Sequence, residues 1–195
     1  MNADCEAPPL LPECTVVPIA GRARGQLGNA LDGRYGMLDP REMQQVMAWL
    51  AGQFDLDRVD YVIGIPEGGL VPAYAFAAAI DRPVVLGTIW EPDVPGVVSF
   101  EEEHNPAGRK AKHLMGLKPG DCVIVIEDEL TSGRTLINCV RALRSAGVRC
   151  DQAGTIYAAD DPDLRARIAA ERIALHVVGT FEPDLCRQLY LRPSA

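Results

Sequence analysis

Apolar runs of strand length alternate along this chain with segments whose apolar residues recur at helical spacing. Residues 59–65, 83–89, 122–126, 153–158 and 173–180 read as strands, and 15–19 as a short one. Asp39-Pro40-Arg41-Glu42 marks a helix start, with Asp as N-cap, Pro at the first helical position and Glu at the third. Met43, Val46, Met47 and Leu50 then form an apolar stripe, read as a plain core face. Further helices are predicted over about 70–80, from about 134 to a stop at Gly147, and from Asp161-Pro162 to about Arg172. Strands alternating with helices imply an α/β fold: a single domain with a mainly parallel twisted sheet flanked by helices, joined by right-handed crossovers. Residues 1–14, with Pro8, Pro9 and Pro12, read as an irregular arm, and 15–195 as the domain. Residues 90–112 are long and polar, interrupted by Pro92, Pro95, Gly96, Pro106 and Gly108. There is no internal repeat, low-complexity tract or linker to a second domain.

Two strand ends carry candidate chemistry. Val123-Ile124-Val125-Ile126 is a run of four β-branched residues, suited to a central parallel strand buried on both faces. It runs into Glu127-Asp128-Glu129-Leu130 and then Thr131-Ser132-Gly133-Arg134-Thr135, where a helix begins. Parallel sheets present ligand sites at the carboxyl ends of their strands. Backbone N–H groups at such a helix start suit a phosphate. Two carboxylates beside that phosphate make sense facing hydroxyl groups or a divalent cation. Pro66-Glu67-Gly68-Gly69, after the strand at 59–65, is a second strand-to-helix turn whose glycines let backbone amides approach an anion.

Composition narrows the class. The chain has 195 residues, 48% hydrophobic and 24% charged, which is ordinary for a globular domain with a sizeable core. A net charge of −8 argues against a non-specific nucleic-acid binder, though not against a phosphorylated substrate. The longest apolar run, 70–80, is too short to span a bilayer, and the acidic N-terminus does not read as a signal peptide. Six scattered cysteines form no C-x-x-C pair, and His104, His113 and His176 are not spaced as a zinc site. Reduced thiols, a cytoplasmic location and no membrane association are expected.

The segment 123–135 resembles the PRPP-binding signature of the type I phosphoribosyltransferases, PRPP being 5-phosphoribosyl 1-diphosphate. The layout is closest to the orotate enzymes. That family's pattern is a hydrophobic strand, two acidic residues, usually two apolar residues, and a Thr/Ser-Thr/Ser-Gly-any-Thr/Ser loop. The resemblance implies that Thr131, Ser132, Gly133, Arg134 and Thr135 hold the 5-phosphate. It implies that Glu127 and Asp128 take the ribose hydroxyls and Mg²⁺, with a catalytic role. Pro66, Glu67, Gly68 and Gly69 match the loop that binds pyrophosphate. Glu129 stands where the family usually has an apolar residue. We read it as an exposed loop residue rather than a third carboxylate of the site. Residues 99–113 fall at the family's flexible loop, which closes over PRPP. Arg109 and Lys112 are then pyrophosphate ligands and Lys110 the catalytic cation, with His104 and His113 behind them; a solvated hairpin of mixed charge is the plain alternative. Residues 15–40 correspond to a small N-terminal hood, where Arg34 and Tyr35 are the acceptor-binding candidates. A homodimer is expected by resemblance.

The acceptor is less defined. Orotate carries a carboxylate and wants a cation, yet the Ser-Gly and Ser-x-x-Tyr elements of the orotate enzymes are incomplete here. Tyr157-Ala158-Ala159-Asp160-Asp161 also lacks the arginine they tend to carry. Orotate or a related base, a purine and a specialised metabolite all stay open. The implied reaction is Mg-dependent transfer of phosphoribosyl from PRPP to a nitrogen, with release of pyrophosphate. PRPP hydrolysis and a non-catalytic PRPP sensor on the same fold are the competing readings.

Overall fold

The computed structural model describes residues 8–18, 25–31, 33–102 and 111–188. Its centre is a five-stranded sheet in the order β4-β3-β7-β8-β9, formed by Val84–Leu86 (β4), Tyr61–Gly64 (β3), Cys122–Leu130 (β7), Arg149–Ala159 (β8) and Ala174–Phe181 (β9). Every neighbouring pair is parallel. The β-branched run lies at the sheet's centre because both its faces are covered, and Val123 to Ile126 are buried.

The helices are Pro40–Ala51 (α1), Leu70–Ala79 (α2), Arg134–Ser145 (α3), Pro162–Ala170 (α4) and Pro183–Gln188 (α5). Asp39 caps α1, its side chain accepting from the Arg41 amide at 2.9 Å. Asp161 caps α4 in the same way on the Asp163 amide, also at 2.9 Å. Such a cap contributes about 1 kcal/mol. The α1 stripe of Met43, Val46, Met47 and Leu50 is buried, as its spacing predicts. Gly147, with φ +79°, stops the chain after α3 in the left-handed region.

Two regions depart from the sequence reading. First, β7 does not end at Ile126: it runs through the acidic pair to Leu130, because β8 is long enough to pair with it, Glu127 opposite Thr155 and Glu129 opposite Tyr157. Glu129 is therefore a half-buried strand residue and not an exposed loop residue. Second, the polar stretch holds an antiparallel ribbon of Val98–Glu101 (β5) and Ala111–Leu114 (β6). Phe100 and Leu114 are buried, and the Asn138 amide of α3 donates to the Glu101 carbonyl at 3.0 Å. The ribbon thus has a core-facing side that proline and glycine counting hides. The described part of the arm, residues 8–14, is irregular, as the sequence reads, and packed. Tyr157 donates to the Pro12 carbonyl at 2.7 Å, and Leu11 lies against Gly179.

Thr15–Val17 (β1) and Gln26–Gly28 (β2) form a small antiparallel ribbon beside the main sheet. Tyr35 packs on Gly28, where a Cβ would stand 2.8 Å from Val17, and the Tyr35 hydroxyl donates to Gln26. Among the described residues no helix is long and apolar enough to cross a membrane. Among them, Cys14, Cys122, Cys139 and Cys150 are free thiols.

Candidate functional site

The site is built where β3 stops and β7 continues. Beyond the Gly64–Ile126 register, β7 projects Glu127 and Asp128 under the turn that leaves β3. Both carboxylates touch that turn. A Cβ at Gly69 would stand 2.9 Å from Glu127 Oε2 and 2.8 Å from the Ile126 carbonyl, and a Cβ at Gly68 would overlap the Asp128 carboxylate. Glycine is required at both places because backbone and carboxylates share the space a side chain needs. Pro66 and Glu67 complete this turn, and their peptide bond is cis.

Glu127 and Asp128 are 8% and 6% exposed. Burial first, and the neighbouring Asp128 carboxylate second, push the Glu127 carboxyl well above its usual range. Arg34 reaches in from the hood and donates to Asp128 Oδ2 from Nη2 at 2.7 Å. The structure thus brings the acceptor candidate Arg34 onto the ribose-side candidate Asp128, across 94 positions of sequence. Tyr35 lies beside it, with the Arg34 guanidinium carbon 5.6 Å from the ring centroid.

The hydroxyl loop 131–135 follows β7 directly. Gly133 takes the left-handed conformation, φ +73°, and occupies the N-cap position of α3 without a side-chain cap. A Cβ there would stand 2.6 Å from Leu164 of α4, so packing and backbone both demand glycine. Arg134 and Thr135 open the helix, where first-turn amides suit an anion. Arg167 of α4 donates to the Ser132 carbonyl at 3.3 Å and lies 3.7 Å from Asp161. Sequence reasoning missed Arg167 as a support of this loop, although its place on the helix opened by Asp161-Pro162 was legible.

The basic residues assigned to the loop over PRPP divide. Arg109, Lys110 and His104 lie outside the described residues. Lys112, expected on the pyrophosphate, is placed on the ribbon. It sits on β6, its side chain is 5% exposed, and its ammonium is engaged by Glu102 at 3.1 Å. A buried cation already paired on a packed ribbon is a structural element of that ribbon. His113 is likewise buried, Nδ1 lying 2.8 Å from Ser99 Oγ.

Cys14 and Tyr157 are additions the sequence did not announce. The Cys14 thiol is pushed up to about 12, first by burial and then by the Glu129 and Asp128 carboxylates. Burial, with Cys14 second, raises the Tyr157 phenol. A thiol this hard to ionise is a poor nucleophile.

A divalent cation was tested against the donor set. Glu127 and Asp128 are hard oxygen donors, as Mg²⁺ prefers. Among the described residues no group of three or more His, Cys, Asp or Glu converges on one point. Two carboxylates fall well short of the about six oxygens Mg²⁺ takes, so Glu127 and Asp128 could hold the ion only with other oxygens and do not form an all-protein cage.

Comparison with known proteins points one way. Relatives include orotate phosphoribosyltransferases of Deinococcus radiodurans, 29% identical over 57% of this chain and 54% of that protein, and of Desulforamulus reducens, 24% identical over 75% and 69%. A hypoxanthine/guanine phosphoribosyltransferase of Methanosarcina barkeri is 27% identical over 57% and 58%. The chain thus spans about half the length of the Deinococcus relative it matches. Among solved structures, adenine phosphoribosyltransferase of Rhodothermus marinus superposes with a TM-score of 0.68 at 19% identity, covering 86% of this chain and 94% of that one. Orotate phosphoribosyltransferase of Aeropyrum pernix gives 0.57 at 22%, covering 91% and 90%. These likenesses establish the fold. The family described as "Phosphoribosyl transferase domain" matches residues 37–177, nearly three quarters of the sequence, and the chain belongs to that family.

Proposed function

We propose that this protein transfers the 5-phosphoribosyl group of PRPP to a nitrogen of orotate or a related base, in a Mg²⁺-dependent reaction that releases pyrophosphate. One observation carries the reading: the carboxylates of Glu127 and Asp128 lie against Gly69 and Gly68, at the foot of the 131–135 loop. A sugar seated there meets an acidic pair on one side, a glycine turn on another and a hydroxyl loop ahead.

The amides and hydroxyls of Thr131 to Thr135 anchor the 5-phosphate and orient the sugar. Asp128 and Glu127 accept from its hydroxyls and lie near the positive charge that develops at the anomeric carbon. The Pro66–Gly69 turn receives the departing diphosphate on backbone N–H groups. Glu127 and Asp128 would hold a Mg²⁺, which would supply positive charge to offset that of the leaving group. The acceptor nitrogen attacks from the hood side, near Arg34 and Tyr35, with inversion. No side-chain nucleophile is needed. Homodimerisation, which rests on the family resemblance, and a cytoplasmic location, which rests on the cysteine pattern, belong to the same proposal.

The test is incubation of the full chain with PRPP, Mg²⁺ and, separately, orotate, hypoxanthine, guanine and adenine, following pyrophosphate release. Base-dependent release is the expected result. PRPP binding without turnover on any base would instead support a PRPP-sensing protein, and base-independent release a hydrolase.

A further inference from the structure

The helix α4 backs the 131–135 loop, and its contacts converge on one peptide unit, Ser132–Gly133. Arg167 donates from Nε to the Ser132 carbonyl at 3.3 Å, across 35 positions of sequence. Its Nη2 lies 3.7 Å from Asp161 Oδ2, while Asp161 Oδ1 accepts from the Asp163 amide as the cap of α4. The capping carboxylate thus faces the arginine as well. Leu164 and Ile168 of the same helix press on Gly133, where a Cβ would stand 2.6 Å and 3.1 Å from them.

The Ser132–Gly133 peptide is trans, so its C=O and N–H point in opposite directions. A carbonyl held towards α4 by a guanidinium turns the Gly133 N–H away from α4. Glycine offers no side chain to resist rotation of that peptide plane, so the hold on the carbonyl decides where the amide points. A guanidinium on the carbonyl also polarises the peptide and makes its N–H a stronger donor. We propose that Arg167, oriented by Asp161, is a positioning residue for the donor's 5-phosphate: it aims and strengthens the Gly133 amide from which that phosphate accepts. The inference rests on the phosphoribosyl-transfer reading and deepens it, adding to the phosphate loop two residues that lie outside it.

Arg167 acts through the carbonyl it holds and not through its bare charge. Its side chain is 36% exposed and that of Asp161 33%, so solvent screens both. Together the two carry no net charge. An aimed backbone amide, by contrast, is fixed before the ligand arrives, and the 5-phosphate then orients the sugar for transfer.

Calorimetric titration of the full chain tests this with two probes, one for each end of the donor. Ribose 5-phosphate carries the 5-phosphate and no leaving group; pyrophosphate with Mg²⁺ carries the leaving group and no sugar. Arg167→Gln is expected to weaken ribose 5-phosphate about tenfold and to leave pyrophosphate unchanged. In turnover the PRPP KM should rise while the acceptor KM holds. Asp161→Asn keeps the α4 cap, since Asn caps as well as Asp. Removing a negative charge would by itself tighten an anion. Positioning predicts the opposite sign, a weakening of ribose 5-phosphate by about threefold. In the double variant the loss should equal that of Arg167→Gln alone, because Asp161 acts through the arginine. Tighter ribose 5-phosphate in Asp161→Asn, additive losses in the double variant, or equal weakening of pyrophosphate in a folded Arg167→Gln would each overturn the proposal. The sign in Asp161→Asn decides it if Arg167→Gln does not fold. Failure of the underlying reading looks different: neither PRPP nor ribose 5-phosphate binds the wild type, and the positioning role falls with it.

Discussion

The donor half and the hood half of this site are made in opposite ways. The donor half is nearly continuous in sequence: Glu127 to Thr135 leave one strand, turn and enter one helix, and Pro66 to Gly69 do the same beside them. Its shape is set by main-chain geometry, with Gly133 in the left-handed region and Gly68 and Gly69 pressed on the carboxylates. The hood half is a two-stranded ribbon of three-residue strands, and among the described residues it reaches the site through an ion pair spanning 94 positions. The first is built into the sheet, where many buried contacts act together. The second depends on a few side chains, as is usual for parts that move or adapt.

Substitutions can break or sharpen that contrast. Gly68→Ala strikes where the two halves meet, because the new methyl overlaps the carboxylate that Arg34 also holds. It is expected to lower PRPP-dependent pyrophosphate release about a hundredfold or more, a loss of the size seen when one preorganised charge-stabilising group is removed. An active Gly68→Ala would show that the turn yields and that the donor half is less rigid than its geometry implies. Gly133→Ala tests the donor half alone. A left-handed alanine against Leu164 is expected to destabilise the fold by about 1–3 kcal/mol in urea unfolding.

Tyr35→Ala tests the hood alone. Losing a partly exposed ring on a peripheral ribbon is expected to cost about 1 kcal/mol or less of global stability. The acceptor KM should nevertheless rise while the PRPP KM holds. If both constants rise together, the halves are one unit and the contrast fails.

His176 supplies the smallest expected effect, outside the binding residues. Burial lowers its pKa from the ordinary 6.5, and its ring lies 4.2 Å from that of Phe54. The unfolded chain therefore takes up a proton near 6.5 that the folded chain resists, so stability falls as pH drops through that value. The loss levels off below the lowered pKa. Urea unfolding between about pH 7.5 and pH 5 should show this slope, and His176→Phe should flatten it without altering turnover.

The same contrast explains what was legible beforehand. Capped starts at Asp39 and Asp161, the β-branched run at 123–126 and the stop at Gly147 are local signals, and local steric rules enforce them. Glu129 was misread because strand length is decided by the partner: β8 keeps pairing past the acidic pair, and no feature of 127–130 states that. The burial of Lys112 was not legible because a lysine in a polar, proline-interrupted stretch carries no mark of it. Phe100 and Leu114 on the same ribbon determine that burial, together with the contact to α3.

The sequence by itself determined the parallel α/β architecture and the two strand-end turns, because each is encoded within a dozen neighbouring residues by hydrogen-bond geometry and side-chain shape. Only the tertiary structure decided that Arg34 lies on Asp128, that Tyr157 holds the arm at Pro12, and that Lys112 pairs with Glu102. Those are pairings between residues distant in sequence, and a charge takes its partner from whatever the folded chain brings beside it in a place where water cannot serve instead.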